Sequence, residues 1–149
     1  MAPARSTGPV RDLGLLIARV VLGVIFTAHG YQKVVQFGLD GVTESFRGMG
    51  VPAPEIVAPV VAYLELVGGI LLILGAFTAI VGIALAIDMF GAALLVHLPQ
   101  GLFIDAGGWE LVGALGAGAL ALAAVGAGSW SVDRALFGRR SAGRRAATS

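Results

Sequence analysis

Three ionisable side chains stand inside long apolar stretches of the sequence: Arg19, Glu65 and Asp88. A charge in hydrocarbon is costly, so such residues usually face the interior of a helix bundle and have a partner. Two carboxylates and one arginine leave an excess negative charge. We therefore expect Glu65 or Asp88 to bind a proton at neutral pH, or Lys33 or a bound cation to reach inward. The three residues predict a buried polar centre, or an ion-pair network that only fixes helix packing.

A second polar group falls at the ends of the same stretches: His29, Lys33, Tyr63, His97 and Glu110. A histidine and a carboxylate beside aromatic rings could hydrogen-bond a quinone head group, and His97 or Glu110 could exchange protons with a quinol. The ligand spacing typical of a metal site is missing, so we predict none. The group could equally be interfacial polar residues, with Tyr31 and Trp109 in an aromatic belt.

The composition decides which elements position these residues. Of 149 residues, 57% are hydrophobic and 13% are charged, against roughly 25% charged in soluble domains. This composition nearly excludes an ordinary water-soluble enzyme. The chain has no cysteine, which excludes disulfides and thiolate chemistry. Nucleotide, haem and hydrolase motifs are also missing, so no independent catalytic motif is present.

Four apolar stretches are each close to the roughly 20 residues that cross a bilayer as a helix. They are Leu13–Tyr31, Ile56–Phe77, Ala79–His97 and Trp109–Val125. The very short connection around Phe77–Ala79 predicts a tight antiparallel hairpin between the second and third spans. We predict an all-α fold, a four-helix transmembrane bundle.

Helical spacing places each charge on a face of small residues that permits close packing. Each such face is a stripe of residues three or four positions apart. The stripe of the first span is Arg19, Gly23, Phe26, Gly30 and Lys33, and that of the second is Glu65, Gly68, Leu72 and Gly75. The stripe of the third span is Ala84, Asp88, Gly91 and Ala92, and that of the fourth is Glu110, Gly113, Ala117, Ala121 and Ala124. At about 1.5 Å per residue, Arg19 lies roughly 9 Å from one membrane surface and Asp88 roughly 13 Å. Glu65 lies roughly 13 Å from the other surface, so a long guanidinium could reach both acids.

The loop Gln32–Glu55 contains Val42, Phe46 and Met49 at helical spacing, with polar residues between them. This pattern predicts a short helix on the membrane surface between the first two spans. The loop ends at Val51-Pro52-Ala53-Pro54, which turns the chain into the second span.

Lysine and arginine positions predict the orientation. Seven of them flank one side of the four spans and only Lys33 and Arg47 the other, so both termini should be cytoplasmic. We expect a cytoplasmic N-terminal tail at residues 1–12, a membrane domain at 13–130, and a basic, disordered tail at 131–149. Five of the ten lysine and arginine residues lie in that tail, so nucleic acid is not an expected partner.

Several segments resemble the DoxX family. The stretch from Arg19 to Lys33 is similar to the first helix of DoxX proteins. The second helix of the family resembles the segment with Tyr63-Leu-Glu65, Gly68-Gly69 and Leu74-Gly75. His97-Leu-Pro-Gln-Gly-Leu-Phe and Gly107-Gly108-Trp-Glu110 resemble the connection between the third and fourth. The chain departs from the family at Leu102, where an aromatic residue is expected, and in its basic tail.

The resemblance implies a four-helix protein of the inner or plasma membrane that serves as the membrane component of an oxidoreductase system. That system would be concerned with thiol or oxidative stress, and its cofactor would be a quinone. A soluble oxidoreductase and further copies of the chain are the expected partners, besides the lipid bilayer. Two alternatives remain open: a small proton-coupled permease, and a structural membrane anchor for a soluble enzyme.

Overall fold

The computed structural model describes residues 8–138, and within that range it contains helices and no strand. The α-helices are α1 (Pro9–Tyr31), α2 (Gly38–Gly48), α3 (Pro54–Leu74), α4 (Thr78–Ala92), α5 (Glu110–Val125) and α6 (residues 132–138). The predicted all-α fold is confirmed. Residues 1–7 and 139–149, which include most of the two predicted tails, lie outside the described residues.

Two helices continue beyond their α-helical part through π-helical turns. The turn Gln32–Gln36 extends α1, and the turn Ala93–His97 with the 3-10 turn Leu98–Gln100 extends α4. The resulting helices of 28 and 23 residues, together with the 21 residues of α3, are long and apolar enough to cross a membrane. The apolar helix α5 has 16 residues and is shorter. A fourth crossing therefore stays a prediction.

Glycines bring α1 and α3 into close contact, as their predicted stripes require. A Cβ added to Gly30 would lie 2.2 Å from the backbone nitrogen of Leu66. A Cβ added to Gly23 would lie 2.6 Å from the carbonyl oxygen of Gly69. Only hydrogen fits at both positions, so the two backbones touch along this seam. The predicted buried faces of α1 and α3 are confirmed, with Phe26 and Leu72 fully enclosed.

The packing of α4 on α5 corrects the prediction for α5. Its buried residues are Leu115, Gly116, Ala119 and Leu122, whereas the predicted stripe of Ala117, Ala121 and Ala124 is exposed. Small residues occur all around this helix, so they do not mark its inner face. The leucines decide the face instead, because burying them against α4 removes more apolar surface from water or lipid contact than burying alanine does.

The connection between α3 and α4 is the predicted tight hairpin, since only three residues separate Leu74 from Thr78. Gly75 has a φ of 68° and closes α3 in the left-handed conformation that favours glycine. The Asp133 carboxylate accepts hydrogen bonds from the backbone N–H groups of Phe77 (2.6 Å) and Thr78 (2.9 Å). Asp133 therefore satisfies free N–H groups at the start of α4, where the helix dipole also favours a negative charge.

The predicted helix in the first long loop is present as α2. It packs on α3 and buries Val42, which is 4% exposed. Arg47 at its end pairs with Glu44 and with Glu55 at the start of α3, and the hydrogen bond to Glu55 raises the pKa of Arg47. These bonds tie α2 to the end of the bundle nearest Lys33, which we call the Lys33 end. Its position on a membrane surface stays a prediction.

Candidate functional site

A salt bridge between Lys33 and Glu65 lies inside the Lys33 end of the bundle. Glu65 projects from the middle of α3 and is 3% exposed, while the Lys33 side chain is 20% exposed. The contact of Gly30 with Leu66 sets the two helices at the same level. From the π-helical turn just beyond, Lys33 reaches back to Glu65. Lys33 thus reaches inward, which was one of the predicted ways of balancing the buried carboxylates.

Asp88 of α4 joins this pair from the other side. Its carboxyl group lies within side-chain hydrogen-bonding reach of Glu65 and within the electrostatic range of Lys33. The Oδ2 atom of Asp88 is buried and has no hydrogen-bond partner among residues 8–138. The site thus combines two acids with one base, and one buried acceptor atom is left for another molecule or a proton.

These three side chains border a cavity of about 460 Å³. Its volume falls within the roughly 300–1,000 Å³ typical of small-molecule sites. Apart from the polar groups the wall is apolar, with Val57 and Val61 of α3 on one side and Leu111, Val112 and Leu115 of α5 on the other. The cavity therefore lies between the α1–α3 pair and the α4–α5 pair, and side chains of all four apolar helices line it.

The cavity reaches the exposed surface of α4. Ile87 and Leu95 belong to its wall, yet they are 68% and 53% exposed. At the Lys33 end the cavity is covered by Phe46 and Met49, which lie at the end of α2. Gly107 and Gly108, in the loop before α5, also cover it there. An apolar molecule could therefore reach the cavity sideways along α4.

Both histidines of the predicted second group line this cavity. The Nδ1 atom of His97 lies 2.7 Å from the carbonyl oxygen of Gly107. With the proton on Nδ1, His97 donates that bond and presents Nε2 as an acceptor. The bond also holds the π-helical turn of α4 against the loop before α5. His29 lies opposite, on α1, within the electrostatic range of Lys33 and Glu65.

The structure does not bring Arg19 to Glu65 and Asp88. The Nη1 and Nη2 atoms of the Arg19 guanidinium donate to the carbonyl oxygens of Ala127 (2.6 Å) and Trp130 (2.7 Å). Arg19 packs against Gly75, which lies roughly 15 Å from Glu65 along α3. The predicted single polar centre is therefore divided. The reason is that the segment after α5 folds across this end, here called the Arg19 end, and its backbone carbonyl groups bind the guanidinium.

Two more residues of the predicted second group lie elsewhere. Tyr63 is 48% exposed on the outer surface of α3 and does not line the cavity. The carboxylate of Glu110 accepts a hydrogen bond of 2.7 Å from the backbone N–H of Ile104. Glu110 therefore shapes the loop before α5 and is not a wall residue.

Sequence reasoning missed the polar links at the Arg19 end. Asp12 is 7% exposed and accepts a hydrogen bond of 3.1 Å from the backbone N–H of Ser129. Asp133 binds the start of α4, as described above, and the rings of Phe77 and Phe137 pack edge to face at 6.5 Å. Residues 132–138, which we expected to begin a disordered tail, thus form a helix against the bundle. The position of Asp12 and Asp133 just beside the spans was the only sequence signal.

Lys33 and His97 share a feature that the sequence did not reveal, because each lies in a π-helical turn. Such turns occur often at functional sites, since the extra residue redirects the side chains that follow. Across residues 8–138, no group of three or more histidine, cysteine, aspartate and glutamate side chains has the arrangement of a metal site. The polar side chains of the cavity can form hydrogen bonds and exchange protons with the polar part of a bound molecule.

The chain is similar in sequence to one protein family and to several known proteins. The sequence model of the DoxX family matches residues 14–98. A Bacillus subtilis protein named "Putative oxidoreductase CatD" is 38% identical over 87 residues, and the match covers 58% of this chain and 62% of CatD. The Escherichia coli inner membrane protein YphA is 32% identical over 133 residues, covering 85% of this chain and 93% of YphA.

The uncharacterized membrane protein Rv3486 of Mycobacterium tuberculosis is 31% identical over 138 residues, which cover 86% of this chain and 84% of that protein. No solved structure matches the chain. The family match includes Lys33, Glu65 and Asp88 and ends before α5.

Proposed function

This chain belongs to the DoxX family of membrane proteins, and from that premise we propose that it is the membrane component of an oxidoreductase system whose cavity binds a quinone. The cavity between the two helix pairs carries this proposal. It is apolar, of suitable volume, open toward the lipid-facing side of α4, and contains Lys33, Glu65 and Asp88. The word oxidoreductase in the name of CatD agrees with such a role.

The polar groups of the cavity fit the head group of a quinone. Lys33 has three N–H donors and uses one on Glu65, so it can also donate to a quinone carbonyl. The unpartnered Oδ2 of Asp88 can accept a bond from a quinol hydroxyl, or donate one when it is protonated. A quinone, when bound, would supply the coupled transfer of electrons and protons. The chain itself orients the head group and provides acid–base groups around it.

Charge balance assigns a proton to the site. Glu65 and Asp88 together carry one negative charge more than Lys33 neutralises. In a wall of apolar side chains this excess is costly, and a proton shared by the two carboxyl groups removes it. The pair can then give that proton to a ligand or take one from it.

We also propose that the chain crosses the membrane four times and that both termini are cytoplasmic. In this arrangement the Lys33 end faces the outer side, α2 lies on the outer membrane surface, and α6 lies at the cytoplasmic surface. The basic residues of the two tails then lie on the cytoplasmic side, as expected for membrane proteins. A soluble oxidoreductase would supply or remove the electrons.

The permease alternative is less well supported. It needs a polar path through the bundle, but fully buried apolar side chains lie between the cavity and Arg19 on each helix. They are Phe26 on α1, Leu72 on α3 and Leu85 on α4, all within one core cluster. This layer favours a site with access from the outer half of the membrane.

Two neighbouring valines of α3 allow a matched test. Val61 lines the cavity, whereas Val60 is 58% exposed on the lipid-facing side. We expect isoprenoid quinone to co-purify with the wild-type protein and with Val60→Trp, and to be lost from Val61→Trp because the indole fills the cavity. Mass spectrometry of protein purified in mild detergent measures the quinone per chain. Equal quinone in both variants, or none in the wild-type protein after addition of quinone, would contradict the proposal.

A further inference from the structure

Three side chains separate the cavity from a second depression beneath α2. This second depression, here called the α2 cleft, is lined by residues of α1 and its π-helical turn and by residues of α2, among them the polar Gln32 and Ser45. His29, Lys33 and Phe46 line both the cavity and the α2 cleft. Any proton that passes between the two spaces therefore passes this wall.

Two of the three wall residues can bind protons, and their situations differ. The ammonium group of Lys33 is held by Glu65 in a salt bridge. His29 lies one helical turn before Lys33 on the same face of α1 and is half-buried. Among the described residues, the charged groups that face it are Lys33 on its own helix and Glu65 on α3. Asp88 and His97 lie on the α4 side of the cavity.

We infer that His29 carries protons between the buried carboxyl pair and water in the α2 cleft. The inference rests on the proposed function, because it assumes that Glu65 and Asp88 exchange a proton. In the outward direction, the O–H bond of the carboxyl pair breaks and one ring nitrogen of His29 binds the proton. The other ring nitrogen then releases its proton to water, and no electrons move. Imidazole suits this step because it binds and releases protons near neutral pH at two separate atoms.

The structure also favours the Lys33 end as the side of proton exchange. On the opposite side of the carboxyl pair, the fully buried Phe26, Leu72 and Leu85 offer no polar atom toward the Arg19 end. On the cleft side, Phe46 is the apolar member of the wall and keeps the two spaces apart. A ligand can thus reach the cavity from lipid while its protons leave toward water.

Hydrogen–deuterium exchange of the buried carboxylic acid tests this inference without any ligand or electron donor. Infrared spectroscopy of the protein in nanodiscs follows the shift of the protonated carboxyl band, assigned with Glu65→Gln and Asp88→Asn. We expect His29→Leu to slow the exchange about a hundredfold, the lower end of the roughly 100- to 10,000-fold contributed by a positioned acid–base group. Added imidazole should restore the rate.

Phenylalanine substitutions provide a second readout. In the His29→Leu background, Phe46→Ala should restore exchange because it opens the wall to water. Phe37→Ala is the matched control, since Phe37 lines the α2 cleft but not the cavity, and it should leave the slow rate unchanged.

Three results would overturn the inference: no protonated carboxyl band from the pair, an exchange rate in His29→Leu equal to wild type, or a slow rate that neither imidazole nor Phe46→Ala restores. The last would indicate a purely structural role of His29. Quinone content measured on the same samples separates the two proposals. If quinone is bound and the exchange rate is unchanged in His29→Leu, only the role of His29 is contradicted. If the exchange is slowed and rescued but no quinone is bound, only the quinone site is contradicted.

Discussion

Lys33 and Glu65 form a salt bridge that joins the π-helical turn after α1 to the middle of α3. Glu65 also lies beside Asp88 of α4, so this one pair connects both halves of the bundle. The same two residues border the apolar cavity. The Lys33–Glu65 salt bridge therefore belongs both to the helix packing and to the cavity. We expect some substitutions to change the stability of the protein and others to change ligand binding.

Substituting either partner of the Lys33–Glu65 pair should destabilise the protein, and the losses from the two substitutions should not add. Lys33→Met should lower the free energy of unfolding by on the order of 3 kcal/mol, because it leaves two buried carboxyl groups without a base. Glu65→Gln should lower it less, because Asp88 stays within electrostatic range of the Lys33 ammonium. The double variant should lose clearly less than the sum. Unfolding in bicelles with increasing sodium dodecyl sulfate measures all three. Strictly additive losses would mean that the pair contributes no interaction energy.

Gly30→Ala should separate α1 from α3. Its Cβ would meet the backbone of Leu66 at 2.2 Å, and overpacking of this kind costs about 1–3 kcal/mol. Gly91→Ala is the control, since nothing lies within 4 Å of its added Cβ and alanine is the better helix former. Thermal unfolding in detergent should show a lower midpoint for Gly30→Ala only. Equal midpoints for the two variants would contradict the close packing of this seam.

Arg19→Met should weaken the fold without emptying the cavity. It removes two hydrogen bonds from a charged group to the carbonyl oxygens of Ala127 and Trp130, each contributing roughly 1.5–3 kcal/mol. The quinone content per folded chain should stay at the wild-type level, because the cavity lies at the other end of the bundle. Thermal unfolding and mass spectrometry on the same preparation measure both quantities. Loss of quinone from folded protein would place Arg19 in the site after all.

The proposed orientation can be tested with single cysteines, because the chain has none of its own. Asp40 on α2 and Ala135 on α6 are both exposed. We expect a membrane-impermeant maleimide to label Asp40→Cys in intact cells, and Ala135→Cys only after the membrane is permeabilised. Labelling of both from outside, or of Ala135→Cys alone, would contradict cytoplasmic termini.

Much of the architecture followed from the sequence. Apolar length and composition predicted helices, and the spacing of Gly23, Gly30 and Glu65 identified the inner faces of α1 and α3. The stripe of α5 was misplaced, since alanines and glycines surround that helix and a repeat of small residues does not distinguish its faces. Of the predicted site residues, His29, Lys33, Glu65, Asp88 and His97 lie at one cavity, whereas Arg19, Tyr63 and Glu110 do not.

The sequence by itself determined that the buried charges face other helices, because hydrocarbon leaves a charged side chain no other stable direction. Only the tertiary structure decided which groups meet. Helical periodicity gives the direction of a side chain but not the level of its helix against a neighbour, so we predicted Arg19 as the partner of Glu65 and Asp88, with Lys33 as an alternative. The segment after α5 resolved the choice, because its backbone carbonyls, which no side-chain pattern reveals, bind Arg19 and leave the carboxyl pair to Lys33.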